Sequence, residues 1–335
     1  MPSKTPLVVW LSVVCAMVAA MVVIGGITRL TRSGLSIVEW QPVTGILPPL
    51  TEQAWQETFE KYQGSPEFQQ VNRWMGLQDF KKIFFWEYIH RLFGRLIGFI
   101  FFIPYLFFLM RGRLESGLRK KLFVALLLGG LEGVVGWLMV KSGLVDQPRV
   151  SHYRLTVHLG IALLVFGYLF WILLDLLSPP RGGTGSPGPR RFSLGVTAAV
   201  CLQILYGGLT AGLRAGYGYN TFPKMGEGWW PAGMLALEPW GLNFFENHAT
   251  VQFLHRLFGW GVLALAVGFW IWSRAANLHR RKADLLLGAT AAQFLLGVFT
   301  LILVIPVGVA TLHQAFAILL LAVALLVNHR LRKPA

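Results

Sequence analysis

Four histidines, His90, His158, His255 and His313, each fall near the start of an apolar run, and the residues around the first pair return around the second. Tyr88-Ile-His90-Arg91-Leu92-Phe93-Gly94 recurs as Phe253-Leu-His255-Arg256-Leu257-Phe258-Gly259, and Thr156-Val-His158 recurs as Thr311-Leu-His313. One histidine in an apolar helix is more often a satisfied core residue than a ligand. Four in repeat-related positions reverse that reading. Two imidazoles at matched depth on neighbouring helices can clamp an iron, with a porphyrin plane running between the helices. One pair per half predicts two haem sites, His90 with His158 and His255 with His313. Zinc fits less well, because neither half offers the Cys or carboxylate set that would close a tetrahedral shell.

The surroundings of the two pairs differ. Glu87 precedes His90 by one helical turn where the second half has Gln252, so the first site carries a carboxylate that the second lacks. Beside a haem, such a group can move protons or stabilise a cation; the alternative is an interfacial Glu facing water. Glu132 lies deeper in an apolar run, opposite Gln293 in the repeat, and is expected to be paired or protonated there. It either lines the first site or bonds a neighbouring helix. Arg91 and Arg256 directly follow their histidines and suit haem propionates, or else snorkel to headgroups. Gly94 and Gly259 share their histidines' helix face and leave room for a macrocycle or a close helix. His152, His248, His279 and His329 have no repeat partners and read as solvated.

The elements that position these groups are membrane helices. A chain of 335 residues that is 55% hydrophobic, with mean hydropathy +0.56, is too apolar for a water-soluble fold with a single core. Runs long enough to span a bilayer, about 20 residues each, fall near 7–27, 84–110, 122–140, 155–177, 192–213, 251–273, 285–305 and 309–328. The expectation is an all-α membrane protein whose eight transmembrane helices form two parallel, pseudo-symmetric four-helix bundles. Residues 1–177 form the first half, the Gly- and Pro-rich stretch 178–191 a cytoplasmic linker, and 192–335 the second half. Gly25-Gly26-Ile27-Thr28 matching Gly207-Gly208-Leu209-Thr210, and Glu132 to Gly136 matching Gln293 to Gly297, support the duplication. With an even number of spans per half, the repeats enter the membrane in the same direction.

The net charge of +15 raises nucleic acid as a partner. Its placement says otherwise: sixteen Lys and Arg fall on the side of both termini and eleven on the other, six of them in one long loop that also carries six acids. Short basic loops stay in the cytoplasm, so the charge is a topology signal, both termini are expected to be cytoplasmic, and no nucleic acid is needed. The few residues before the first span hold one Lys and no Arg- and Ser-rich transit segment, which fits a bacterial inner membrane. Cys15 and Cys201 lie inside spans and read as small apolar residues. The long external loop of the first half, with Trp40, Trp55 and Trp74, reads as amphipathic. That of the second, Tyr219 to Pro231, reads as interfacial.

These residues resemble the haem A synthase family, in its proteobacterial and mitochondrial branch, over nearly the whole chain. The pieces that carry the resemblance are Gly25-Gly-Ile-Thr-Arg-Leu-Thr-Arg-Ser-Gly-Leu-Ser36, Glu87-Tyr-Ile-His-Arg91, Met139-Val-Lys-Ser-Gly-Leu144, Pro148-Arg-Val-Ser151, Tyr219 to Glu227 and Gln252-Phe-Leu-His-Arg256. The resemblance implies oxidation of the C8 methyl of haem O to a formyl group, giving haem A for terminal oxidases. It implies a resident haem b on His255 and His313, and substrate haem O near His90 and His158 with Glu87 beside the reacting edge. Two departures stand out: the external cysteine pair of another branch is absent, and Glu132 stands where Gln is more usual.

An iron with two histidine ligands has no open position for oxygen. Either His90 or His158 leaves, or the methyl loses electrons with water as nucleophile, the scheme preferred on sequence. Two rivals remain, a bis-haem electron carrier resembling a membrane cytochrome b and a haem O transporter or chaperone. A prenyltransferase is disfavoured by the lack of Asp-rich diphosphate motifs. An electron acceptor and the haem O synthase are the further partners that this reading calls for.

Overall fold

A computed structural model of the chain describes residues 4–39, 45–145, 148–178, 187–277 and 279–332. Its regular elements are helices: α1 (Thr5–Leu30), α2 (Glu52–Gln63), α3 (Leu77–Met110), α4 (Ser116–Gly143), α5 (His152–Leu177), α6 (Pro187–Leu213), the single turn α7 (Asn243–Glu246), α8 (His248–Ala275), α9 (Arg280–Ile302) and α10 (Val307–Leu331). Among the described residues no strand forms beyond the isolated bridge of Met225 with Gly228. All but the short α2 and α7 are long and apolar enough to cross a membrane, eight in all among the described residues.

Lipid contact explains how these helices are built. On α4, Phe123, Leu127, Leu131, Val134 and Leu138 recur at helical spacing and are all exposed, a stripe that only acyl chains would cover without penalty. Such a helix keeps its backbone hydrogen bonds internal, which the apolar phase demands.

The chain forms two compact units, Ala16–Ala162 and Met1–Cys15 together with Leu163–Ala335. They are called the first and second units below. In the second, α6 packs on α8, α8 on α9, α9 on α10 and α10 back on α6, closing a four-helix ring. In the first, the loop after α1 folds rather than lying flat. Thr51 caps α2 by accepting from the Ala54 amide at 3.1 Å, and Trp55, Phe59 and Tyr62, one helical face, pack with Phe80, Ile83 and Phe84 of α3. The amphipathic loop of the sequence is thus a small aromatic cap. Trp74 remains 70% exposed on it, and Trp40 lies outside the described residues.

Several helices start earlier than their apolar runs, and two of these boundaries have a local cause. The helix carrying His90 begins at Leu77, seven residues before the apolar run, because Gly76 and Asp79 supply a workable N-terminus for its polar first turn. Pro187 opens α6 inside the expected linker, as a proline at a first helical position does; residues 179–186 of that linker lie outside the described residues.

Candidate haem sites

In the first unit His90 is the fourteenth residue of α3 and His158 the seventh of α5. The extended start of α3 is why His90, near the start of its apolar run, sits nearly four turns into the helix. The two imidazoles are near enough that a charge on one would act on the other. Each lies against a glycine. A Cβ on Gly25 would stand 3.3 Å from Nε2 of His90, and one on Gly136 would stand 2.9 Å from Cε1 of His158. One turn before Gly136, Glu132 brings Oε1 to 3.0 Å from Nδ1 of His158, though the angle falls short of a formed hydrogen bond and its Oε2 is buried without a partner. Glu132 of α4 thus stands beside His158 of the neighbouring helix α5.

One helical turn before His90, Glu87 is 2% exposed and does not face water. Its Oε2 accepts from Ser36 Oγ at 2.7 Å and from the Ile37 amide at 2.9 Å. Its Oε1 meets Nη2 and Nε of Arg91 at 2.6 and 3.0 Å. Arg91 further donates to the carbonyls of Ile37 and Glu39. One helical turn apart on α3, the two side chains clamp the segment that follows α1. A buried carboxylate needs such compensation, and the bidentate guanidinium supplies it.

The second unit repeats the plan with different chemistry. His255 is the eighth residue of α8 and His313 the seventh of α10, again within electrostatic reach of each other. Gly207 and Gly297 take the parts of Gly25 and Gly136, with Cβ positions 3.3 and 2.9 Å from Cε1 of His255 and His313. Gln252 is buried and donates to the Tyr219 carbonyl at 2.9 Å. Arg256 donates to the carbonyls of Tyr219, Thr221 and Lys224. Both arginines thus hold backbone of the loop after the first helix of their own unit. Gln203 reaches His255 from α6, its Nε2 lying 3.2 Å from Nδ1 and 2.9 Å from the backbone carbonyl.

The glycines singled out by sequence, Gly94 and Gly259, face a neighbouring helix: their Cβ positions would meet Met21 Cε at 3.3 Å and Gln203 Nε2 at 3.4 Å. The cradle glycines Gly25, Gly136, Gly207 and Gly297 were visible only as repeat matches. A cation was also missed. A cavity of about 290 Å³ beside Arg91 is lined by Ile37, Val38, Glu39, Trp137 and Lys141, and the Lys141 ammonium lies over the Trp137 ring at 5.1 Å. Its signal was the Met139–Leu144 motif, to which spacing alone assigned no role. Of the four histidines read as solvated, His248 is exposed and His152 and His279 are partly so. His329 is not: it is 4% exposed, with Nε2 2.9 Å from Asp175 Oδ1 and its ring against Trp171. Both cysteines are free thiols.

A haem fits this set. Nδ1 of His158 and of His313, and the side-chain oxygens Oε1 of Gln203 and of Gln293, are buried with no hydrogen-bond partner, which apolar surroundings make costly. Iron taken by the Nε2 of a ligand histidine would leave Nδ1–H as a donor, for which Oε1 of Glu132 stands 3.0 Å from Nδ1 of His158 and the Gln203 amide 3.2 Å from Nδ1 of His255. The four glycines keep methyl groups away from the rings that would carry the iron.

Comparison with known proteins agrees. The family model for cytochrome oxidase assembly protein, COX15-CtaA, matches residues 8–325. The chain is 52% identical to the heme A synthase of Nitrosospira multiformis, covering 98% of this chain and 94% of that one. It is 45% identical to those of Nitrosomonas eutropha and Parvibaculum lavamentivorans, each over 97% of this chain and 94% of theirs. With its two histidine pairs on eight membrane helices, the chain belongs to the COX15-CtaA family of cytochrome oxidase assembly proteins.

Proposed function

We propose that this chain is a haem A synthase, an oxidoreductase that converts the C8 methyl of haem O to a formyl group. The observation that carries the proposal is the unlike polar shell of two otherwise matched sites. His90 and His158 are flanked by the carboxylates Glu87 and Glu132, whereas His255 and His313 are flanked by glutamines at the same repeat positions. The carboxylate-bearing pair takes haem O as substrate. The glutamine-bearing pair holds a resident haem b, which when bound supplies a one-electron relay.

Methyl to formyl with water as oxygen source releases four electrons and four protons, so the first unit must deliver protons outward and electrons to an acceptor. Glu132 and Glu87 are the proton-accepting groups beside that site. In the resting arrangement both oxygens of Glu87 are engaged, so Glu87 acts only when Arg91 is drawn away. The cavity lined by Arg91 and Lys141 offers the place for that exchange. An anionic edge of the substrate entering it competes with Glu87 for the guanidinium. The glycines flanking His90 and His158 keep the pocket wide enough for a flat ring.

The chain resides in a bacterial inner membrane with both termini cytoplasmic, a reading supported by the distribution of Lys and Arg. It receives haem O from the bilayer or from the haem O synthase and passes electrons to an outside acceptor. Expression in a bacterium that makes haem O but no haem A, followed by chromatography of the extracted haems, tests the activity. Haem A or its hydroxymethyl precursor is the expected product. Two permanent haem b groups with no modified porphyrin would instead identify an electron carrier.

A further inference from the structure

The two units differ in how firmly each histidine is held. In the second unit, Gln203 contacts the ring and backbone of His255, and its partnerless Oε1 can turn to accept from Nδ1–H when the other ring nitrogen binds iron. Met21 stands at the corresponding place in the first unit, since both residues lie four positions before the cradle glycine and both face the glycine that follows the histidine by one turn. A thioether offers an imidazole no comparable hydrogen bond. His90 has no hydrogen-bond partner among the described residues, whereas Nδ1 of His158 has Oε1 of Glu132 standing 3.0 Å away.

Ring orientation points the same way. His158, His255 and His313 set the Cε1 edge against their cradle glycines, whereas His90 sets its Nε2 edge against Gly25. The nitrogen that an iron would take is turned toward α1.

On the reading of the first unit as the haem O site, we propose that His90 is its exchangeable ligand and His158 its fixed one. Glu132, 3.0 Å from Nδ1 of His158, is placed to anchor the fixed ligand once its other ring nitrogen is taken, and Met21 is the positioning residue whose lack of a hydrogen bond lets His90 swing away. Opening a coordination position then requires only rotation of one unanchored side chain, with no helix movement. His255, the counterpart of His90 in the second unit, lacks that freedom because Gln203 holds it.

The test is binding of carbon monoxide to the reduced full-length protein loaded with haem O, followed optically in wild type and in Met21→Gln, Met21→Leu and Gln203→Met. Carbon monoxide needs an open position, so it reports ligand release without turnover. Wild type is expected to show one reactive haem. Met21→Gln should slow that reaction about tenfold, the worth of one buried hydrogen bond, with Met21→Leu unchanged. Gln203→Met should add a second reactive haem. Equal reaction in wild type, Met21→Gln and Met21→Leu, or a wild type inert to carbon monoxide, would overturn the inference. A preparation with no low-spin, bis-histidine haem at all would instead overturn the proposed function on which it rests.

Discussion

Replacing Gly297 by alanine tests the cradle most sharply. The added methyl would lie 2.9 Å from Cε1 of His313, against about 3.5–4.0 Å for a relaxed carbon contact. The ring, or α9, must therefore shift by roughly 0.5–1 Å. Overpacking of this kind costs about 1–3 kcal/mol, offset by the roughly 0.5–1 kcal/mol that alanine gains over glycine inside a helix. A net penalty of about 1–2 kcal/mol on the ligand's orientation corresponds to roughly 5- to 30-fold weaker haem retention. Gly207→Ala brings a methyl only to 3.3 Å from His255, which a few tenths of an ångström of adjustment relieves, so its loss should be the smaller. Gly288→Ala, on the same helix as Gly297 but with open space around it, should lose none. Haem b per polypeptide after purification, with the low-spin electron paramagnetic resonance signal, reads the order. Full haem occupancy and an unaltered signal in Gly297→Ala would refute the argument.

Other outcomes follow from the same contacts. Glu87→Gln keeps acceptors for Ser36 and the Ile37 amide but removes the charge, so haem A formation should fall about 100-fold or more while haem b of the second unit stays; normal haem A output would remove Glu87 from the chemistry. Arg256→Lys loses the fork that reaches three loop carbonyls, weakening the loop by about 1.5–3 kcal/mol, which faster protease nicking between Tyr219 and Lys224 would register. Lys141→Ala removes an exposed cation from the cavity beside Arg91 and should raise the KM for haem O roughly 2- to 5-fold, the scale of an exposed ion pair, with kcat unchanged. High salt should abolish the difference between that variant and wild type. An unchanged KM at low salt would exclude Lys141 from substrate binding.

The helices and the histidines were legible because each rests on a local signal. Long apolar runs name the spans, and repetition of the histidine segments names the ligand candidates. The long-range pairings were not legible. That Glu87 would be closed off by Ser36, Ile37 and Arg91 depends on the path of the loop after α1, which no periodicity encodes. That Arg91 and Arg256 would also hold backbone carbonyls of the loop of their own unit was no more visible, because it depends on the same loop path. The folded cap around Tyr62 had a readable start in Thr51 and the Trp55, Phe59, Tyr62 spacing, but its polar composition masked the helix. His329 looked like a tail residue, and only the approach of Asp175 and Trp171 explains its burial. Met21 and Gln203 carried no signal alone; their meaning comes from superposing the repeats.

The division of labour between the two histidine pairs is the central claim, and a haem inventory tests it most directly. Full-length chain with His255 and His313 both changed to alanine, and chain with His90 and His158 both changed, would be purified from cells that make haem O and haem b, and their haems separated by chromatography. The account predicts that the first variant loses haem b yet still retains haem O, and that the second keeps haem b and loses haem O. Haem b lost from the second variant and kept by the first would contradict it.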